Sequence, residues 1–166
     1  MKLIFITGAR SEYGISKRLL SRLKESKNHL LRILPIGMHW SEIYGYTVSE
    51  IIHDGFEDEL IKADGVVNAR DSQIDQFSSI LSNLPSLINS NEPDGIIVLG
   101  DRLEVYAASL CAHFLKIPII HVGGGHITLG AVDNIYRYNI TNLAQIHLAT
   151  TKSCHQRLLA LPNINQ

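Results

Sequence analysis

The sequence predicts an α/β protein, a doubly wound, Rossmann-like parallel sheet, and three observations carry that prediction. Short apolar runs alternate with stretches of helical periodicity along the whole chain, which is the pattern of repeated βα units. The runs are continuous rather than alternating, as in strands covered on both faces. Several end on glycine followed by polar side chains, as at Gly8-Ala9-Arg10 and Gly100-Asp101-Arg102, so polar groups collect at strand carboxyl ends, where open α/β sheets place ligands. No repeat, low-complexity tract or linker interrupts the chain, and residues 1–166 are expected to form one domain.

Taken in order, residues 3–7 read as the opening strand, followed by the turn Gly8 to Gly14 and a helix from Ile15 with Leu19, Leu20 and Leu23 on one face. A second strand is expected over 30–36 and a helix over 41–53, capped by Ser41 and stopped by Gly55. A third, polar strand is expected over 56–61, then a helix over 71–90 that Pro85 should kink or break. The run 96–99, bounded by Pro93-Asp94-Gly95, is the central buried strand, and a helix over 103–115 follows with small residues suited to close packing on a sheet. A strand over 117–122, a helix over 133–143, a short strand over 146–150 and a helix over 152–161 complete the pattern. Gly123-Gly124-Gly125 after the fourth firm strand implies a sharp bend or a close backbone approach.

Composition excludes several classes of function. Fifteen basic against 16 acidic residues leave a net charge of -1, with no electrostatic footprint for nucleic acid or an anionic membrane. No run reaches the roughly 20 apolar residues of a membrane span, and the amino-terminal apolar run is too short for a signal peptide. Cys111 and Cys154 lack metal-ligand spacing and make no disulfide framework, which fits a reducing cytoplasm; Cys111 reads as a buried small hydrophobe.

Arg10, His39, Asp101, Arg102, His121, His126 and Asp133 all fall at or just after strand carboxyl ends, on one rim of a parallel sheet. Singly each has a plainer role: Asp101 as a helix cap, Arg10 as a solvated loop residue, His39 as a packed histidine. The turn after the first strand lacks G-x-G-x-x-G, yet Gly8, a helix N-terminus and Arg10 can together hold a phosphate. Carboxylates and histidines beside arginines suit acid-base work on a phosphorylated or nucleotide-linked small molecule.

Four motifs, Thr7-Gly8-Ala9-Arg10-Ser11-Glu12-Tyr13-Gly14, Gly37-Met38-His39 with Tyr44-Gly45-x-Thr47, Gly100-Asp101-Arg102-x-Glu104, and Arg137-x-x-Ile140-Thr141-x-Leu143 with Ile146-His147-Leu148, resemble the hydrolysing UDP-N-acetylglucosamine 2-epimerases of sialic-acid-type pathways. The resemblance runs from residue 3 to about residue 160 in order and spacing. It implies a two-domain GT-B-like fold of which this chain is the N-terminal half, without the C-terminal nucleotide-binding domain. It implies elimination of UDP to a glycal, then hydration that releases N-acetylmannosamine, with no metal or redox cofactor and a possible homodimer. By the resemblance Asp101 and Asp133 are acid/base groups at the sugar, and Arg10, Ser11 and Arg102 line the UDP site with His39. The chain departs from the family pattern where His126 stands for a glutamate, where Gly123 replaces a polar residue, and where Tyr138 replaces a histidine; His126 can serve as a base near neutral pH. The resemblance also implies that this stretch alone does not turn over. Two other readings are a GT-B glycosyltransferase domain, which the Gly100-Asp101-Arg102 and Gly37-Met38-His39 spacings disfavour, and a non-catalytic nucleotide-sugar binding or assembly domain.

Overall fold

The computed structural model describes residues 1–63, 65–66 and 71–162. Strands β1 (Lys2–Thr7), β2 (Leu30–Pro35), β3 (Gly95–Leu99), β4 (Ile119–Val122) and β5 (Ile146–Leu148) form one sheet in the order β2-β1-β3-β4-β5, every neighbouring pair parallel. Helices α1 (Arg10–Lys24), α2 (Val48–His53), α3 (Gln73–Ser90), α4 (Leu103–Phe114), α5 (Asp133–Leu143) and α6 (Lys152–Leu159) alternate with them. The doubly wound parallel sheet expected from the sequence is therefore present. No helix among the described residues is long and apolar enough to cross a membrane.

Successive strand residues point to opposite faces, and the core divides accordingly. Ile4, Ile6, Ile96 and Val98 pack against Ile80, Leu84 and Ile88 of α3, Val105, Ala108 and Cys111 of α4, and Ile140 of α5. Leu3, Phe5 and Ile97 face the other way, against Tyr13 and Leu20 of α1 and Ile51 of α2. Each large apolar side chain so buried contributes roughly 1.5–3 kcal/mol by leaving water, and a one-residue slip would turn the whole set outward. Cys111 is the buried small residue expected, its thiol pushed up to about 11 by burial.

Four elements differ from expectation. Residues 56–61 form no strand: Glu57–Glu59 is a 3₁₀ turn, with a single bridge between Ile33 and Leu60. Arg32 holds this segment beside β2 by donating to the carbonyls of Asp58 and Leu60, both at 3.0 Å, a job that a paired strand would leave to the backbone. The helix expected over 41–53 is a 3₁₀ turn, Glu42–Tyr44, followed by α2, because Gly45 and Tyr46 adopt left-handed backbone with φ of 83° and 48°; another 3₁₀ turn, Gly37–Trp40, precedes it after β2. Helix α1 starts at Arg10 rather than Ile15, and Ile15 is 74% exposed; the buried residues are Glu12, Tyr13, Ser16 and Leu20. Helix α3 continues through Pro85, which costs it only the bond to the carbonyl of Leu81, while Ile80, Leu84 and Ile88 keep one stripe buried.

Candidate functional site

From β1 the chain goes to one side for β2 and returns to the other side for β3. The loops after β1 and β3 therefore diverge and leave a crevice at the strand carboxyl ends, the place where such sheets take ligands. Glu104, in the first turn of α4, fills the space under it: a Cβ on Gly8 would stand 3.2 Å from Glu104 Cβ, and one on Gly37 3.5 Å from Glu104 Oε1.

A side chain of α1 reaches back to the two residues that precede the helix. Glu12 Oε2 accepts the N–H groups of Gly8 at 2.7 Å and Ala9 at 3.2 Å, and the Thr7 hydroxyl lies 3.2 Å away. A phosphate could use these two donors, which precede the first turn of the helix, only by displacing an internal carboxylate. Burial raises the Glu12 carboxyl to about 7, against the N–H of Gly8 and the charge of Arg102 and with the charge of Glu104.

Asp101 does not cap α4, since Arg102 occupies the N-cap position. The Asp101 carboxylate instead accepts from the guanidinium of Arg137, which is 8% exposed and also donates to the carbonyl of His126 and to Asn134 Oδ1, each at 3.0 Å. One arginine thus joins the loop after β3, the loop after β4 and helix α5. Burial raises the Asp101 carboxyl from its ordinary value; Arg137 and Arg102 oppose that rise and Asp133 adds to it.

Two clefts open on the rim. The first, of about 280 Å³, is walled by Arg102, Glu104, Asp133, Tyr44, Gln76 and Tyr136, and the Tyr136 ring is stacked on Tyr106 at 5.6 Å. The second, of about 580 Å³, is walled by Arg10, Ser11, Lys17 and Glu50 and shares Met38 and Arg102 with the first. Arg102 stands between them, with one nitrogen 3.1 Å from Glu104 Oε1 and 3.2 Å from Met38 Sδ. Arg10 is mostly exposed and pairs with Glu50 at 2.7 Å.

The expected site residues are thus brought together in part. Arg10, Ser11, Arg102 and Asp133 line the clefts; Asp101 lines neither, but is held by Arg137 and lies near enough to Asp133 and Arg102 for their charges to act on its carboxyl. His126 lies toward the β5 side, its Nε2 against the Thr150 hydroxyl. His39 has no exposed surface: its ring nitrogens lie 3.1 Å from Thr7 Oγ1 and 2.9 Å from Thr47 Oγ1, and burial lowers it to about 4. Its place is behind the β1 loop, holding it, because the 3₁₀ turn after β2 folds the ring inward. Glu12, Glu104 and Tyr136 carry no signal in the sequence that sets them apart as site residues.

The triple glycine serves packing as well as bending. A Cβ on Gly125, whose φ is 78°, would stand 2.6 Å from the carbonyl oxygen of Cys154 in α6. Gly125→Ala is therefore expected to destabilise the fold by at least roughly 1–3 kcal/mol, from the left-handed backbone alone, with the collision added. The midpoint of urea unfolding checks this, and an unchanged midpoint would show that neither the left-handed backbone nor the approach of Cys154 constrains this position.

A family model described as UDP-N-acetylglucosamine 2-epimerase matches residues 21–165. The "UDP-N,N'-diacetylbacillosamine 2-epimerase (hydrolyzing)" of Legionella pneumophila is 35% identical over 161 residues, covering 96% of this chain and 42% of that protein. The "Polysialic acid biosynthesis protein P7" of Escherichia coli is 32% identical over 163 residues, covering 96% of this chain and 41% of its own length. The chain thus spans about two-fifths of the length of the curated relatives it matches. The crystal structure of UDP-GlcNAc 2-epimerase from Neisseria meningitidis bound to UDP-GlcNAc is alike in fold, with a TM-score of 0.80 at 24% identity over 98% of this chain and 44% of that one.

Proposed function

The chain belongs to the UDP-N-acetylglucosamine 2-epimerase family, and on that premise we propose that it supplies the acid/base side of a hydrolysing epimerase acting on a UDP-linked N-acetylated hexosamine. The observation that carries the reading is the grouping of Asp133 and Arg102 on one cleft wall, with Asp101 beside them on Arg137. Carboxylates that exchange protons next to a guanidinium suit the reaction's two halves. A base takes the proton from C2 while the C1–O bond breaks and its electron pair leaves with UDP, giving a glycal. Water then adds across C1=C2, the hydroxyl to C1 and a proton to C2, and free sugar is released.

Asp101, raised by burial, and Asp133 are the proton-transfer groups in this reading, and His126 is a further base at the rim. Arg10, Ser11 and Arg102 face the diphosphate, where guanidinium groups offset its charge. Turnover needs water excluded from the reacting centre, and these clefts are walled by one sheet rim only. We therefore read the chain as incompetent by itself and completed by a second half of the kind its longer relatives have room for. Its two buried, unpaired thiols, Cys111 and Cys154, suit a reducing cytoplasm.

The test is UDP release from UDP-N-acetylglucosamine and from UDP-N,N'-diacetylbacillosamine, by the chain alone and by a chimera in which it replaces the matching stretch of the Legionella protein. The chain alone is expected to release no UDP, and the chimera to release UDP and free sugar from one of the two. A folded chimera silent on both, beside an active Legionella parent, would remove the reading.

A further inference from the structure

Four contacts close a loop through the interior behind Asp101 and Arg137. His121 stands on β4 with no exposed surface, its Nε2 2.9 Å from the carbonyl oxygen of Gly100 and its Nδ1 3.1 Å from Thr141 Oγ1. Thr141, 1% exposed, has its hydroxyl 2.8 Å from the carbonyl oxygen of Arg137, one turn earlier on α5. The Arg137 guanidinium returns to the carboxylate of Asp101, the residue after Gly100.

The chemistry of these groups fixes where the protons lie. A carbonyl can only accept, so Nε2 of the neutral ring carries the hydrogen and donates to Gly100, which leaves Nδ1 to accept from the Thr141 hydroxyl. The carbonyl of Arg137 can spare that hydroxyl, because inside a helix it already faces the N–H four residues on. Gly124 roofs the pair closely: a Cβ there would stand 3.1 Å from both His121 Nδ1 and Thr141 Oγ1.

We propose that His121 and Thr141 are a positioning pair that ties the Asp101 loop to helix α5 and so sets the contact between the Asp101 carboxylate and Arg137. Neither residue lines the two clefts. Both act through their neighbours: His121 holds the carbonyl immediately before Asp101, and Thr141 sits one turn from Arg137. The consequence for turnover rests on the epimerase reading; the positioning does not.

The experiment follows the titration of Asp101 by carboxyl NMR in the full chain, which needs no substrate. Arg137 is the foremost influence holding that carboxyl down against burial, so a loosened contact raises it. Thr141→Val keeps the volume and removes the hydroxyl, and is expected to move the Asp101 midpoint upward by up to about 1 pH unit, a fraction of what an adjacent opposite charge can supply. Thr141→Ser restores the hydroxyl and is expected to titrate as the wild type. Nitrogen NMR of the wild-type protein is expected to show His121 as the Nε2–H tautomer. An unmoved Asp101 titration in folded Thr141→Val, or failure of Thr141→Ser to restore it, overturns the proposal. So does an Nδ1–H tautomer in the wild type, a measurement that stands even if Thr141→Val does not fold. A chimera without UDP release but with the expected titrations would sink the epimerase reading and leave the positioning pair intact.

Discussion

Asp101→Asn in the Legionella chimera is expected to lower kcat for UDP release by on the order of 10²–10⁴ while leaving KM within a few-fold, the signature of a lost proton-transfer group. An amide keeps the shape of the side chain and still offers an oxygen to Arg137, so the loop need not move. What it loses, on the proposed reading, is the ability to take a proton from C2 or return one. Arg137 retains its bonds to the His126 carbonyl and to Asn134, each at 3.0 Å, and this limits the cost of removing the negative partner. A second readout separates chemistry from binding. In D₂O the hydration step places deuterium at C2 of the released sugar, and the variant should slow that incorporation in step with UDP release. Wild-type kcat in a folded Asp101→Asn would show that this carboxylate does not carry the proton, and Asp133, on the cleft wall, would be the next group to replace.

The rim was legible because its logic is topological. Continuous apolar runs such as Ile96-Ile97-Val98-Leu99 read as buried strands, and parallel strands bring their carboxyl ends to one side, so Arg10, Arg102 and Asp133, which line the clefts, could be grouped with Asp101 without coordinates. Side chains that turn inward to satisfy the backbone were not legible in the same way. Glu12 reads as a loop acid, although its place three residues after Ala9 is that of a residue reaching back to close a helix N-terminus. Arg137 reads as pointing either outward or toward the site, yet it lies three and four residues before Ile140 and Thr141, both buried, and so shares their face. His39 misled in the opposite sense: a histidine after a strand suggests a ligand, but its partners Thr7 and Thr47 are brought to it by contacts 32 and 8 residues away along the chain. Periodicity reports which face of an element is apolar. It does not report which polar group a neighbouring element needs.

Glu12→Gln is expected to change the pH dependence of stability by about one proton, and the direction follows from three buried groups. His39 and His121 have ordinary values of 6.5 and are lowered to about 4 by burial. Below about pH 6.5 the unfolded chain gains protons there that the fold refuses, so each histidine costs stability as pH falls toward about 4, on the order of 3 kcal/mol in full. Glu12 works against them. Its carboxyl is raised from 4.5 to about 7, so its contribution is fully present below about pH 4.5 and is lost as pH rises to about 7, again on the order of 3 kcal/mol. Between about pH 4.5 and about pH 6.5 the two histidines outweigh the one acid, and the wild type should gain stability with rising pH with a net slope of about one proton from these three groups. Glutamine keeps an oxygen for the N–H groups of Gly8 and Ala9 and removes the charge that burial penalises. The variant's slope over that range should therefore steepen by about one proton, and its stability relative to the wild type should rise by on the order of 3 kcal/mol by about pH 7. Urea unfolding of both proteins from about pH 4.5 to about pH 8 measures the difference, in which every other titrating group cancels. Parallel curves would mean that Glu12 ionises in the fold as readily as in the unfolded chain. The buried carboxylate under the crevice would then be an ordinary anion, held by Gly8, Ala9 and Arg102 against its burial.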